Sequence, residues 1–73
     1  MKTTAAVPKI DVPVPRVWAT NQMTNAAYRR GYHSGLLGAF PPNPYDWRVG
    51  VDVRRAWDQG HIAGMQRLKG GAA

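Results

Sequence analysis

Cysteine is absent from this 73-residue chain. That excludes a disulfide framework and any thiolate metal site, and it fits a reducing compartment. Glutamate is absent too. The four acidic residues are all Asp, against ten Lys and Arg, for a formal charge of +6. With so few carboxylates, a metal site built on His33 or His61 lacks partners, and both histidines read as surface or packing residues. No apolar run approaches the ~20 residues that span a bilayer. The opening Met1-Lys2-Thr3-Thr4-Ala5-Ala6-Val7 lacks the apolar stretch of a secretory signal. The expectation is therefore a soluble, cytoplasmic protein without a membrane span. At this length it forms one small domain with a marginal core, which a partner or a homodimer would help stabilise.

What the chain has is cation, above all arginine: seven of the ten basic residues are Arg. Arg offers planar, forked contacts to phosphate and base edges, and it stacks on rings. The charge asymmetry points to a polyanion such as RNA, with a solubilising surface as the plain alternative.

Proline divides the chain. Pro8, Pro13 and Pro15 predict an extended, Pro-rich arm over residues 1–20, either without order of its own when free or laid across a groove, with Trp18 near its end as the anchor to the body. Residues 21–38 read as a helix. Asn21 or Thr24 caps its start, Tyr28, Tyr32, Leu36 and Ala39 form one stripe, and Gly38 suits a left-handed end. Residues 39–50, with Pro41, Pro42, Pro44, Phe40, Tyr45 and Trp47, form a stiff loop that folds back on the helices or presents an aromatic patch. Residues 51–68 read as a second helix, with Asp52 in its first turn and Val53, Trp57, Gly60 or His61, Gly64 or Met65, and Leu68 on one face. The predicted architecture is all-α: a two-helix antiparallel hairpin at 21–69 with a Pro- and aromatic-rich connection, and a frayed tail at 70–73.

Two blocks repeat. Arg29-Arg30-Gly31-Tyr32-His33-Ser34-Gly35 returns, 25 positions later, as Arg54-Arg55-Ala56-Trp57-Asp58-Gln59-Gly60. Glycine inside a helix costs about 1 kcal/mol relative to Ala. Four such glycines suggest close backbone approach, with Ala27, Gly31 and Gly35 facing Ala56, Gly60 and Gly64. The core candidates are accordingly Gly31, Tyr32, Gly35, Leu36, Trp57, Gly60 and Met65.

The ordered set Ala27-Tyr28-Arg29-Arg30-Gly31-Tyr32…Gly35…Gly38, Asn43-Pro44-Tyr45 and Arg54-Arg55-Ala56-Trp57-Asp58-Gln59-Gly60 resembles the ribosome modulation factor family of small basic bacterial proteins. It also resembles the wider phage, plasmid and chromosomal group sharing that fold. The likeness covers about residues 26–65. Asn43 stands where the family usually has Cys, His61 stands where a second Trp is typical, and the segment from Tyr45 to Trp57 is a few residues longer. The arm has no counterpart in the compact factor. The resemblance implies a two-helix body that binds ribosomal RNA on the small subunit and silences translation during ribosome hibernation.

Under that reading, Arg29, Arg30, Arg48, Arg54, Arg55 and Arg67 are the candidate RNA- or partner-binding cations. Tyr45 is a candidate stacking residue, weighed against a packing role. Tyr32 and Trp57 read as core rather than as binding rings. The alternative function is a phage- or mobile-element-encoded module that binds a host protein, with the arm in the interface. Some relatives are described as drug-modifying phosphotransferases. This chain lacks a Gly-rich phosphate loop ending in Lys-Ser/Thr and an acidic pair for magnesium. Ser34 beside His33 is no catalytic pair, since helix neighbours point to different faces. The chain is read as a non-enzyme with no cofactor.

Overall fold

Residue-level structure comes from a computed structural model that describes residues 12–70. The outer arm, 1–11, and the tail, 71–73, lie outside the described residues. A four-residue turn of helix, α1 (Arg16–Ala19), leads into α2 (Gln22–Leu36). A connection containing a 3₁₀ turn, Trp47–Val49, then leads to α3 (Val51–Gly70). No strand occurs among the described residues.

Both ends of α2 follow from local chemistry. The Asn21 side chain accepts from the backbone N–H of Met23 at 2.8 Å and of Thr24 at 3.3 Å, satisfying two orphan donors. At the other end Gly38 takes φ +71°. Its N–H donates to the Gly35 carbonyl at 3.0 Å, and that of Ala39 donates to Ser34 at 3.2 Å. This double closure is a Schellman motif, and the left-handed residue at its centre favours glycine. In α3, Asp52 lies in the first turn and Arg67 and Lys69 in the last, each sign matching the helix dipole.

The packed pair of helices is as expected, but its direction is not. The Gly60 backbone rests against Tyr28 and Gly64 against Tyr32, while Gly31 rests against Trp57 and Gly35 against His61. Numbers rise together on both helices, so α2 and α3 run parallel, and the predicted antiparallel hairpin is corrected. The reason lies in the connection. Antiparallel pairs follow from short loops, whereas Leu37 to Gly50 reaches roughly 45 Å if extended. That is about twice the ~22 Å of a 15-residue helix. The connection descends along α3: the Ala39 carbonyl lies 2.7 Å from His61 Nε2, and Asn43 meets Arg54 and Asp58.

The glycine contacts form two reciprocal pairs related by an offset of 29. That offset carries Thr24 onto Val53, Ala27 onto Ala56, Tyr28 onto Trp57, Gly31 onto Gly60 and Gly35 onto Gly64, all buried. The body is thus an internal pseudo-two-fold of parallel helices. The conspicuous 25-residue repeat is one helical turn out of step with it. Carbonyl oxygens of Tyr28, Tyr32, Trp57 and His61 lie where glycine Cβ atoms would be, which aims them at glycine Cα–H bonds.

The core is Val12, Ala27, Tyr28, Tyr32, Val53, Ala56 and Trp57, with Val14, Trp18, Leu36, Tyr45 and Ala63 packed around it. Met65 is half-buried, Leu68 and Ala39 are exposed, and the predicted stripes end short of them. The inner arm is corrected as well. Arg16–Ala19 is helical and Val12 is buried, so these residues belong to the body, while Trp18 packs on the core as the expected anchor. Thr24 ties them down: its hydroxyl donates to the Trp18 carbonyl at 2.6 Å. Gly70, expected to fray, completes α3.

Candidate nucleic-acid interface

The connection does two things with its aromatics. Tyr45 packs against the core, so its structural role is the packing one. Trp47 is left 72% exposed and Phe40 74%. Trp47 is held out by local geometry. The Asp46 side chain accepts from the Arg48 N–H at 3.0 Å and opens the 3₁₀ turn. Gly50, at φ +113°, then redirects the chain into α3. Upstream, Asn43 fastens the connection to α3. Its Nδ2 donates to the Arg54 carbonyl at 2.9 Å and to Asp58 Oδ1 at 3.0 Å, while its Oδ1 accepts from the Tyr45 N–H at 2.9 Å.

Around Trp47 the cations gather. The Arg48 guanidinium carbon lies 5.8 Å from the ring centroid, within cation–π range. Its Nε is 3.8 Å from Asp46 Oδ2, an exposed ion pair that contributes little to stability. Trp47, Val51, Arg54, Arg55 and Asp58 together line an open recess of about 250 Å³. Val51 and Arg55 also border a larger open groove of about 660 Å³, whose walls include Val17, Met23 and Val49. A ring, three guanidiniums and an apolar floor therefore adjoin at the N-terminal end of α3.

The remaining predicted cations stand elsewhere. Arg29 donates through Nε to Asn25 Oδ1 at 2.8 Å. The pseudo-two-fold carries Arg29 onto Asp58, which lines the recess, so Arg29 faces the opposite side of the body, and Arg30 is exposed outside the recess lining. Arg67 is exposed in the last turn of α3. The structure thus brings Arg48, Arg54 and Arg55 together and leaves Arg29, Arg30 and Arg67 outside that cluster. The residue that sequence reasoning left off the binding set is Trp47. Its adjacency to Arg48 and its place among prolines were the available signals.

The other rings are structural. Tyr28 stacks on Tyr32 with centroids 6.5 Å apart, and Trp57 stacks on His61 at 5.1 Å. Burial, with Tyr32 alongside, pushes the Tyr28 phenol above its ordinary range. His61 also meets Phe40 edge-on at 5.8 Å, so His61 serves as packing between connection and helix. Among the described residues no group of three His, Cys, Asp or Glu is placed to hold a metal ion. No helix there is long and apolar enough to cross a membrane. No family model, curated protein or solved structure matches the chain.

Proposed function

We propose that this is a small RNA-binding protein that acts by occupancy rather than by chemistry, with the Trp47–Arg48–Arg54–Arg55 cluster as its contact surface. The observation that carries the reading is Trp47. A large ring 72% exposed, with a guanidinium over it and two more in the adjoining recess, forgoes burial that a chain this small would otherwise use. Unpaired bases stack on such rings, and flanking arginines neutralise the phosphates between them. The +6 charge supplies the long-range attraction.

The resemblance to the ribosome modulation factor family narrows the partner to ribosomal RNA on the small subunit, and the outcome to translational silencing. Co-sedimentation with small subunits tests this at low and high salt. Binding at low salt that weakens as salt rises supports it, and failure to pellet at low salt contradicts the ribosomal partner.

A second reading, an interaction module for a host protein, has the groove bordered by Val17, Met23, Val49 and Val51 in its favour. Removing the arm separates the two. The cut belongs after residue 11, because Val12 and Trp18 pack in the core. Loss of a protein partner with RNA affinity retained favours the module. Intact affinity that then falls on Arg54→Ala/Arg55→Ala favours RNA.

A further inference from the structure

Asp58 sits in the recess among Trp47, Arg54 and Arg55. It is one of only four acids in the chain, and it makes no ion pair among the described residues, where the sole such pair is Arg48–Asp46. Its Oδ1 accepts from Asn43, which fixes the carboxylate and leaves Oδ2 without a partner among the described residues. A site for phosphate alone gains nothing from a carboxylate, which repels it. A carboxylate only accepts hydrogen bonds, and a guanidinium only donates them. Lining one recess together with a ring on which a base can stack, they offer a template for a base edge that carries donors next to an acceptor.

Resting on the RNA-binding reading above, we propose that the recess selects an unpaired guanine in single-stranded RNA. The base stacks on Trp47, Asp58 accepts hydrogen bonds from its N1–H and N2 amino group, and Arg54 or Arg55 donates to its O6. Guanine is the one RNA base with two adjacent donors beside a carbonyl on its pairing edge. Cytosine and adenine each offer a single amino donor there. Uracil flanks its one N–H with two carbonyls, which a carboxylate repels. Asp58 is therefore the specificity-determining residue, and the arginines and Trp47 supply affinity common to all bases.

The test is fluorescence anisotropy with the full chain and four labelled uridine tracts carrying a single central G, A, C or U. The expected result is that the G oligonucleotide binds on the order of ten-fold tighter than the all-U one. In Asp58→Asn the preference for G collapses while affinity for the all-U tract holds or rises, since a negative charge has left a cationic site. The series on the unaltered chain needs no variant to fold, so the proposal can be overturned by it alone. Equal binding of all four sequences overturns base selection and leaves RNA binding standing. Binding of none overturns the RNA reading and this inference with it. Free guanosine monophosphate supplies the last arm. Competition as strong as that of unlabelled G oligonucleotide overturns RNA as the source of the base, and weak competition supports it.

Discussion

The carbonyl oxygen of Tyr28 occupies the space where a side chain on Gly60 would begin. The pseudo-two-fold repeats this relation between Trp57 and Gly31. Helix backbones can meet this closely only where Cβ is missing, so these glycines fix the crossing of α2 and α3. That crossing in turn sets the connection that carries Trp47.

Gly60→Ala tests the crossing directly. A Cβ at Gly60 would also lie 2.9 Å from the Tyr28 carbonyl carbon, so backbone has to move. Overpacking of this kind costs typically 1–3 kcal/mol, against a helix-propensity gain of about 1 kcal/mol. The expected net is destabilisation with a fall in melting temperature, at about 4–8 °C per kcal/mol for a domain this size. Gly70→Ala, where a Cβ meets nothing within 4 Å, holds or slightly raises it. Thermal melts of the two variants check the contrast, and equal melting points count against the close crossing.

Asn43→Ala removes two hydrogen bonds that fasten the connection to α3 and one, from the Tyr45 N–H, that shapes the connection itself. Each is worth about 1 kcal/mol net, and part of that loss is offset by water at this partly exposed site. The expected outcome is a stability loss of about 1–2 kcal/mol, with faster amide exchange at Tyr45 and in the 3₁₀ turn. Unchanged exchange there indicates that the connection is held by Tyr45 packing instead.

Alkaline titration probes Tyr28. Its folded-state pKa lies above the unfolded value near 10 because burial disfavours the phenolate. The fold therefore binds this proton more tightly than the unfolded chain does. The stability linked to it is fully present below pH 10 and is lost as pH rises through the folded value. Denaturant midpoints from pH 8 to 11 measure this, and Tyr28→Phe is expected to flatten the alkaline decline.

Much of this was legible from sequence. Asn21 as cap, Gly38 as left-handed terminator and the small-residue stripes Ala27/Gly31/Gly35 and Ala56/Gly60/Gly64 are local or periodic signals, and each stands. Helix direction was not legible. Residue types at a crossing are the same for either sense, and only the reach of Leu37–Gly50 permits the parallel one. The Arg-Arg repeat at 25 aligns Tyr32 with Trp57 and Gly35 with Gly60, buried positions one helical turn away from the partners that the reciprocal contacts relate at 29. Pro8, Pro13 and Pro15 together predict extended backbone over residues 1–20, yet proline is well suited to the start of a helix, and Arg16–Ala19 is helical.

The two arginine pairs are expected to differ in salt response. Each phosphate contact on a single strand contributes about 0.7 to the slope of log K against log salt. Arg54→Ala/Arg55→Ala lowers that slope by about 1.4 if both contact phosphate. Arg29→Ala/Arg30→Ala, outside the recess, leaves it nearly unchanged. Equal slopes in the two double variants place the contact surface elsewhere.

The most direct measurement is the affinity of Trp47→Ala for single-stranded RNA, read beside its melting temperature. Stacking of a base on a protein ring is worth about 1–3 kcal/mol, and a residue this exposed contributes little to the fold. The predicted result is about ten-fold or greater loss of RNA affinity with an unaltered melting temperature. Unchanged affinity in a folded Trp47→Ala protein contradicts the account.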